Sequence, residues 1–197
     1  MLSSCGSTKL IQQYKNPDTI NFEANKVLVI GISDDTELRR TYEKMMTEQL
    51  DKRGVIAVKS IDFFESSFNN DKKSLEELNQ IEGRLLDAGF DAILFTKITN
   101  QESRVTILDS YRKFAKDFQT FEDYYYGNQH IYFREQQDRY QVYTTETSLY
   151  CICPGKEREL LWRGEIEVVD ADKVNRNINS YMQILFNTLE ENKLLLL

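Results

Sequence analysis

The sequence predicts an α/β domain on a mixed sheet, in which a βαβαβ half is followed by an antiparallel hairpin and a C-terminal helix. Short apolar runs rich in β-branched residues alternate with segments of helical period in the first half. This alternation favours parallel strands joined by helices. A turn motif then separates two further strand-like runs, and an amphipathic segment ends the chain. The 197 residues, 41% of them hydrophobic, fit a single three-layered domain with a tail or insertion.

The first strand and helix are predicted within residues 27–54. Residues 27–32 form a short apolar run, which is typical of a strand buried on both faces. Asp34 and Glu37 have the spacing of a capping box, and apolar side chains then recur at helical intervals. Gly54 follows this period, so we expect it to close the helix in a left-handed conformation.

The same pattern repeats once more before the chain changes character. Residues 55–58 are predicted to form the second strand, and Ser74 and Glu77 form a second capping box. Gly89 is expected to end the second helix. Residues 91–95 then supply the third strand.

The second half predicts an antiparallel hairpin of residues 140–153 and 160–169, joined by a type II turn at 153–156. In its second strand, two sets of four side chains alternate along the chain. We expect one set to face the core and the other to face largely towards solvent. The buried set is Leu160, Trp162, Ile166 and Val168, and the solvated set is Leu161, Arg163, Glu165 and Glu167. A helix from about Asp172, with Val174 opening its apolar stripe, is expected to cover the sheet.

The first residues, Leu2-Ser3-Ser4-Cys5, resemble a bacterial lipobox, in which a signal peptidase cuts before a cysteine that is then acylated. Two or more acyl chains anchor a protein firmly to a bilayer. We therefore predict Cys5 as the lipid attachment site, residues 1–25 as lipidation site and flexible tether, and residues 26–197 as one domain. The alternative is a chance cysteine in a frayed terminus. The expected location is the periplasmic side of the bacterial envelope, at the outer membrane.

Several short segments resemble the periplasmic lipoproteins that carry a domain like the amino-terminal part of TolB, a group that includes LpoB and CsgG. The resemblance lies in residues 27–32, 39–43, 54–58, 88–94, 147–150 and 161–164. It implies a scaffold that regulates or assembles cell-envelope machinery. The shared motifs are core and turn residues, so the resemblance carries over no catalytic residue.

Charge and composition disfavour several classes of function. The net charge is -7 and no stretch is rich in Lys or Arg, so binding to nucleic acid is not expected. No run approaches the ~18 apolar residues of a membrane-spanning helix. Gly31 alone is no nucleotide-binding fingerprint, and we expect no cofactor.

Catalytic and metal-binding arrangements are equally hard to build from this sequence. His130 is the only histidine, and no Gly-x-Ser-x-Gly elbow accompanies it. Cys151 and Cys153 with His130 fall short of the four ligands of a closed zinc site, so we interpret both cysteines as buried small side chains. We therefore predict neither an enzyme nor a bound metal.

Asp34 and Asp35 resemble the acidic pair of a phosphoacceptor receiver domain. Such a domain also needs an aspartate at the end of its third strand, where this chain has Thr96. We therefore interpret Asp34 as the cap of the first helix.

An aromatic-rich insertion is predicted at about residues 108–139. Two interpretations remain open for it. Aromatic residues at helical spacing could pack a short helix over a sheet edge. Alternatively, exposed tyrosines could form a surface that binds another protein or a second copy of the chain. The residues predicted to bind a partner are Tyr124, Tyr125, Tyr126, Tyr132 and Phe133.

Two hypotheses of function follow. The first is a non-catalytic envelope lipoprotein that acts as a scaffold or interaction module. The second is a small-molecule-binding or hydrolytic domain, with its site at the strand carboxyl ends near Ser33, Asp34, Thr96 and Thr99, where open sheets usually bind ligands. A pocket with converging polar groups at these residues would favour the second hypothesis.

Overall fold

The computed structural model describes residues 8–64, 74–100, 143–152, 159–168 and 174–195. Within them the chain forms a mixed α/β domain with one six-stranded sheet and four helices, which confirms the predicted fold class. In chain order the elements are β1 (Lys9–Lys15), β2 (Lys26–Ile32), α1 (Thr36–Asp51), β3 (Ile56–Lys59), α2 (Ser60–Phe63), α3 (Leu75–Asp87), β4 (Ala92–Asn100), β5 (Tyr143–Cys151), β6 (Glu159–Val168) and α4 (Val174–Glu191). Across these ranges, every helix is too short or too polar to cross a bilayer.

The strand order in the sheet is β1-β6-β5-β4-β2-β3. β2 pairs in parallel with both β3 and β4, as the alternation of strands and helices predicted. β5 pairs antiparallel with β4 and with β6, so the predicted hairpin is also confirmed. The parallel half and the antiparallel half therefore share one continuous sheet.

Helices cover both faces of this sheet. One face, here called the α1/α4 face, packs against Met46 and Leu50 of α1 and against Leu185 of α4. The opposite face, the α3 face, packs against Leu78 and Leu85 of α3. These five side chains are all at most 1% exposed, so the domain has a core on each side of the sheet.

Local signals account for both ends of α1 and of α3. Ser74 and Glu77 form both halves of the predicted capping box. Gly54 and Gly89 have φ angles of 79° and 78°, the left-handed conformation expected after a helix. The cap of α1 is Asp35, whose side chain accepts hydrogen bonds from the first turn. The prediction that Asp34 caps this helix is therefore wrong by one residue.

The N-terminal segment is more ordered than predicted. Residues 9–15 form β1, which pairs antiparallel with β6 and makes one edge of the sheet. The prediction of a flexible tether is wrong for this segment, because its polar side chains are used in tertiary contacts. Trp162 Nε1 donates a hydrogen bond to Gln13 Oε1 at 3.0 Å. Lys15 Nζ donates to the carbonyl oxygen of Asn192 at 2.7 Å.

β6 departs from the predicted simple alternation. The register with β5 shifts between Leu149 and Tyr150, so that Leu149 faces Trp162 while Tyr150 faces Leu160. This irregularity places Leu160 in the core of the α3 face and Trp162 in that of the α1/α4 face. The predicted shared face of these two residues is therefore wrong.

The face of β6 that was predicted to be solvated is largely buried. Leu161 is 3% exposed and Arg163 is fully buried. Glu165 and Glu167 are only partly buried. At the start of α4, Val174 is 46% exposed, so the buried stripe of that helix begins at Ile178 rather than at Val174.

Candidate functional site

A cavity lies at the end of the sheet where β2, β4 and β6 finish and where β1 and β5 begin. We call this the cavity end. Its volume is about 460 Å³, within the range of about 300–1,000 Å³ usual for ligand pockets. It lies on the α1/α4 face, between the first turns of α1 and α4. Because α1 follows β2 directly, the end of that strand and the start of the helix form one wall.

The cavity wall is mainly apolar, with polar side chains among its lining residues. Its apolar and aromatic lining comprises Ile32, Leu38, Tyr42, Ile98, Tyr143, Val168, Val174, Ile178 and Tyr181. The remaining lining residues are Gly31, Ser33, Asp35, Glu37, Arg39, Thr41, Thr96, Thr145, Asn175 and Asn177. An arrangement of this kind suits a ligand with an apolar body.

Four hydroxyl groups meet beside the cavity and join four elements of the fold. Tyr42 Oη of α1 donates a hydrogen bond to Thr96 Oγ1 of β4 at 2.6 Å. Thr96 Oγ1 lies 2.9 Å from Thr147 Oγ1 of β5 and 3.2 Å from Tyr181 Oη of α4. Thr147 and Tyr181 also hydrogen-bond to each other. The cluster ties both helices of this face to the centre of the sheet.

The hydroxyl cluster is neutral. Burial raises the pKa of the Tyr42 hydroxyl well above its usual value, and the nearby Tyr181 raises it further. Burial also raises the pKa of the Tyr181 hydroxyl. The rings lie with centroids 6.2 Å apart, tilted by 57°. Both hydroxyls therefore act as hydrogen-bonding groups at physiological pH, since neither forms the tyrosinate that a base or a nucleophile needs.

Gly31 allows α1 to approach β2 closely at the cavity. A Cβ atom at Gly31 would lie 3.1 Å from Tyr42 Cδ1 and 3.3 Å from Arg39 Cγ. Both contacts are tighter than ordinary packing permits. The absence of a side chain at this position therefore helps to place Tyr42 in the hydroxyl cluster.

A second polar network holds α1 against β2 next to the cavity. Glu43, which is fully buried, accepts hydrogen bonds from Arg39 Nε at 2.9 Å, Ser60 Oγ at 2.6 Å and Gly31 N at 3.0 Å. The backbone N of Ile61 donates to its other oxygen at 3.1 Å. Since the carboxylate has a cation and three further donors, its burial is compensated.

The α3 face carries a row of charged side chains across its antiparallel strands. Lys97, Glu146 and Glu165 face one another in register on β4, β5 and β6. Glu146 Oε1 lies 3.1 Å from Lys97 Nζ but makes no hydrogen bond of good geometry. Arg163 Nε is 3.9 Å from the same oxygen and donates to Ser148 Oγ at 3.1 Å. The interaction of Glu146 with these cations is therefore mainly Coulombic.

We expect the stability of a Glu165→Gln variant, relative to the wild type, to improve as the pH rises. Burial raises the pKa of the Glu165 carboxyl, and the neighbouring Glu146 raises it further, while the hydrogen bond from Gln12 lowers it. A raised pKa in the folded state means that deprotonation costs stability as the pH rises through that pKa. Glutamine stays neutral and keeps an acceptor for Gln12 Nε2.

The measurement is urea unfolding of both proteins between pH 4 and pH 8. The exposed Glu191 of α4 supplies the control, Glu191→Gln. A Glu165→Gln curve parallel to that of the wild type at all pH values would contradict the expectation.

Cys151 is buried, with 4% of its surface exposed, and is disulfide-bonded. The predicted burial of Cys151 is confirmed, but its disulfide was not predicted. Cys153 and His130 lie outside the described residues. Within the ranges that the structure describes, no three side chains of His, Cys, Asp or Glu are grouped to hold a metal ion.

The structure brings together only part of the site predicted at the strand ends. Ser33 and Thr96 line the cavity. Asp34 is exposed next to the helix cap and is not part of the lining. Thr99 lies in β4, but its side chain is not described. Cys5 and the predicted partner-binding residues Tyr124, Tyr125, Tyr126, Tyr132 and Phe133 lie outside the described residues, as does the insertion at 108–139.

Three members of the hydroxyl cluster, Tyr42, Thr147 and Tyr181, were not predicted from the sequence. Tyr42 and Tyr181 fall in the apolar stripes of two predicted helices, where they look like ordinary core residues. Thr147 sits in a run of strand formers. The available signal was the pair of tyrosines in helices that cover the same face, since a buried tyrosine hydroxyl needs a polar partner.

Comparisons with known proteins found only distant structural similarity. No protein-family model matches the chain, and no curated protein does. The PelC dodecamer from Paraburkholderia phytofirmans aligns at 9% identity over 90% of this chain and 94% of that one, with a TM-score of 0.44. The lipoprotein GNA1162 from Neisseria meningitidis aligns at 12% identity over 84% of this chain and 99% of that one, with a TM-score of 0.42. Scores this low identify no family for this chain, and its resemblance to TolB-like lipoproteins stays a prediction.

Proposed function

We propose that this chain is a non-catalytic lipoprotein of the bacterial cell envelope, anchored at the periplasmic side of the outer membrane through Cys5 and acting as a scaffold or interaction module. The observation that carries the export part of this proposal is the disulfide of Cys151. Disulfides persist in oxidising compartments such as the periplasm and are rare in the cytosol. The lipobox-like segment at residues 2–5 is a second, separate feature that supports export.

The buried polar groups beside the cavity support the non-catalytic part of the proposal. The tyrosine hydroxyls are held protonated by burial. The buried carboxylate of Glu43 beside them already accepts hydrogen bonds from Arg39 and Ser60. Asp35, on the rim, accepts hydrogen bonds from the first turn of α1. These groups serve the fold, and we assign none of them to acid–base or nucleophilic chemistry.

Mass spectrometry of the N-terminus, on protein purified from its own cells, tests the anchor. We expect a mature chain that begins at Cys5 and carries acyl groups. A Cys5→Ser variant should then leave the membrane fraction for the soluble fraction. An unacylated Met1 on native protein found in the cytosol would exclude the proposal.

A thiol titration tests the compartment independently. The chain has three cysteines, and one disulfide uses two of them. We therefore expect denatured protein with an unacylated Cys5 to show one reactive thiol before reduction and three after it. Three thiols before reduction, in protein isolated under thiol-blocking conditions from an oxidising compartment, would remove this support.

The partner-binding surface is proposed at Tyr124, Tyr125 and Tyr126. The triple substitution by serine should abolish cross-linking to a partner protein or to a second copy in cells. Its thermal midpoint should stay that of the wild type. Unchanged cross-linking would count against this surface and would leave the anchor unaffected.

The cavity favours a second candidate function, the binding of a small molecule at the strand ends. It has the place predicted for such a site and a volume suited to one. A binding role is compatible with the lipid anchor. It differs from the scaffold hypothesis in requiring the cavity to be occupied.

A further inference from the structure

We propose that the cavity binds a fatty acyl chain at the membrane-facing end of the domain. The orientation rests on the lipid anchor proposed above. The ligand class rests on the cavity itself. Three observations support the proposal: the place where β1 begins, the chemistry of the cavity wall, and an exposed apolar side chain at the rim.

The start of β1 fixes which end of the domain faces a bilayer. Only four residue steps separate Cys5 from Lys9, where β1 begins, and four extended residues span at most about 14 Å. An acylated Cys5 therefore holds the start of β1 near the membrane surface. The long tether that would have let the domain rotate freely is replaced by a strand fixed in the sheet.

The cavity lies at this same end. Lys9 pairs with Glu167 of β6, and the next residue, Val168, lines the cavity. β5 begins at this end with Tyr143, which also lines it. Because β2 and β4 end here, the cavity opens beside the point at which the chain approaches the bilayer.

The chemistry of the wall selects an apolar chain over an ionic ligand. Leu38, Ile98, Val168 and Ile178 supply aliphatic surface. The four clustered hydroxyls have four protons and make four hydrogen bonds with one another, so their donors are already used. A charged headgroup placed beside them would lose its hydration without gaining a counter-ion, because the cation of the lining, Arg39, already pairs with Glu43 at 2.9 Å.

Val174 marks the rim as a place where apolar surface meets water. It lines the cavity at the first turn of α4 and is 46% exposed. An acyl chain that enters the cavity would cover this side chain. Covering Val174 would remove its apolar surface from water, which favours occupation of the rim by an apolar chain.

Binding of a fluorescent polyene fatty acid to the soluble Cys5→Ser protein tests the ligand class without relying on the anchor. We expect saturable binding with one site per chain. The Val174→Trp variant should fill the rim and weaken binding about tenfold or more. Ile20→Trp is the matched control, because Ile20 is 79% exposed and lies outside the cavity lining, and it should bind as the parent does.

Photo-crosslinking locates the ligand in the unsubstituted pocket, so the result does not depend on how Val174→Trp folds. A diazirine fatty acid should label peptides from the first turns of α1 and α4. Absence of saturable binding, equal binding by Val174→Trp, or labelling confined to other elements would overturn the proposal. These outcomes are separate from loss of the anchor, which mass spectrometry of the N-terminus detects.

Acylated protein in phosphatidylethanolamine vesicles identifies the source of the chain. If the chain's own lipid occupies the cavity, the acylated protein should no longer bind the fluorescent probe, even in detergent. If a neighbouring lipid occupies it, a photoreactive phospholipid in the vesicles should label α1 and α4. Free access of the probe to the acylated protein in vesicles, with no labelling by the phospholipid, would contradict both sources and the membrane-facing orientation.

Discussion

Replacing Glu43 by alanine is expected to lower the free energy of unfolding by about 3–5 kcal/mol. The change leaves the largely buried Arg39 guanidinium without its carboxylate and removes the acceptor of three further donors. Those donors are Ser60 Oγ, Gly31 N and Ile61 N. For a chain of this length the corresponding fall in the thermal midpoint is roughly 6–20 °C. Thermal and urea unfolding, followed by circular dichroism, measure it.

Glu48→Ala provides the control on the same helix. Glu48 is 53% exposed in its side chain and pairs with Lys44 at 4.0 Å, so its removal should change stability by no more than about 0.5 kcal/mol. A Glu43→Ala protein that unfolds with the wild-type midpoint would show that the buried network contributes little. Equal losses in both variants would point to helix propensity instead.

The Glu43 network also connects stability to the cavity. It fixes α1 against β2 one residue away from Tyr42, and Tyr42 donates to the hydroxyl cluster. A variant that loosens this contact should therefore weaken ligand binding as well as folding. Glu43→Gln keeps the size of the side chain and one of its two acceptor oxygens, so it separates most of the loss of packing from the loss of charge.

The elements of this fold that sequence reasoning predicted are those set by local interactions. Ser74 and Glu77 cap α3 because both partners lie within one turn. Gly54 and Gly89 follow their helices because a left-handed residue is needed there. The spacing of Asp34 and Glu37 indicated the wrong cap for α1, because the adjacent Asp35 supplies an equivalent carboxylate one position later.

The elements that were missed depend on contacts far apart in the chain. β1 has no apolar alternation, and its side chains are used by Trp162 and Asn192, about 150 to 180 residues away. The irregularity in β6 comes from its pairing with β5, so counting alternate residues failed at Leu160. Burial of Arg163 likewise depends on Ser148 and Tyr150 of the neighbouring strand.

The candidate site could be predicted only in part, because some of its contacts also join residues that are far apart in the chain. The rule that open sheets bind ligands at strand carboxyl ends pointed to Ser33 and Thr96, and both line the cavity. The rule does not say which helices cover that end. Tyr42 and Tyr181 meet at Thr96 only because α1 and α4 lie side by side on one face, which follows from the topology and not from any motif.

Deleting residues 1–16 is expected to destroy the cooperative fold or to lower the thermal midpoint by roughly 10 °C or more. The deletion removes β1 and makes β6 the new edge of the sheet. β6 carries Trp162, a large apolar side chain that is fully buried in the intact domain. The deletion also takes away Gln13 Oε1, the acceptor for Trp162 Nε1 and for Asn192 Nδ2 at 3.0 and 2.9 Å. Exposed apolar edges of this kind pair with other chains, so light scattering should show aggregation.

Deleting residues 1–7 is the matched control, because it removes Cys5 but keeps β1 whole. We expect this shorter deletion to retain the wild-type midpoint to within about 2–4 °C, equivalent to about 1 kcal/mol. If the longer deletion were equally stable, the segment would be the flexible tether that its polar composition suggests, and the domain would be free to turn on its anchor. The fixed orientation of the cavity towards the bilayer would then lose its physical basis, since that orientation requires a strand that begins four residues after the lipid.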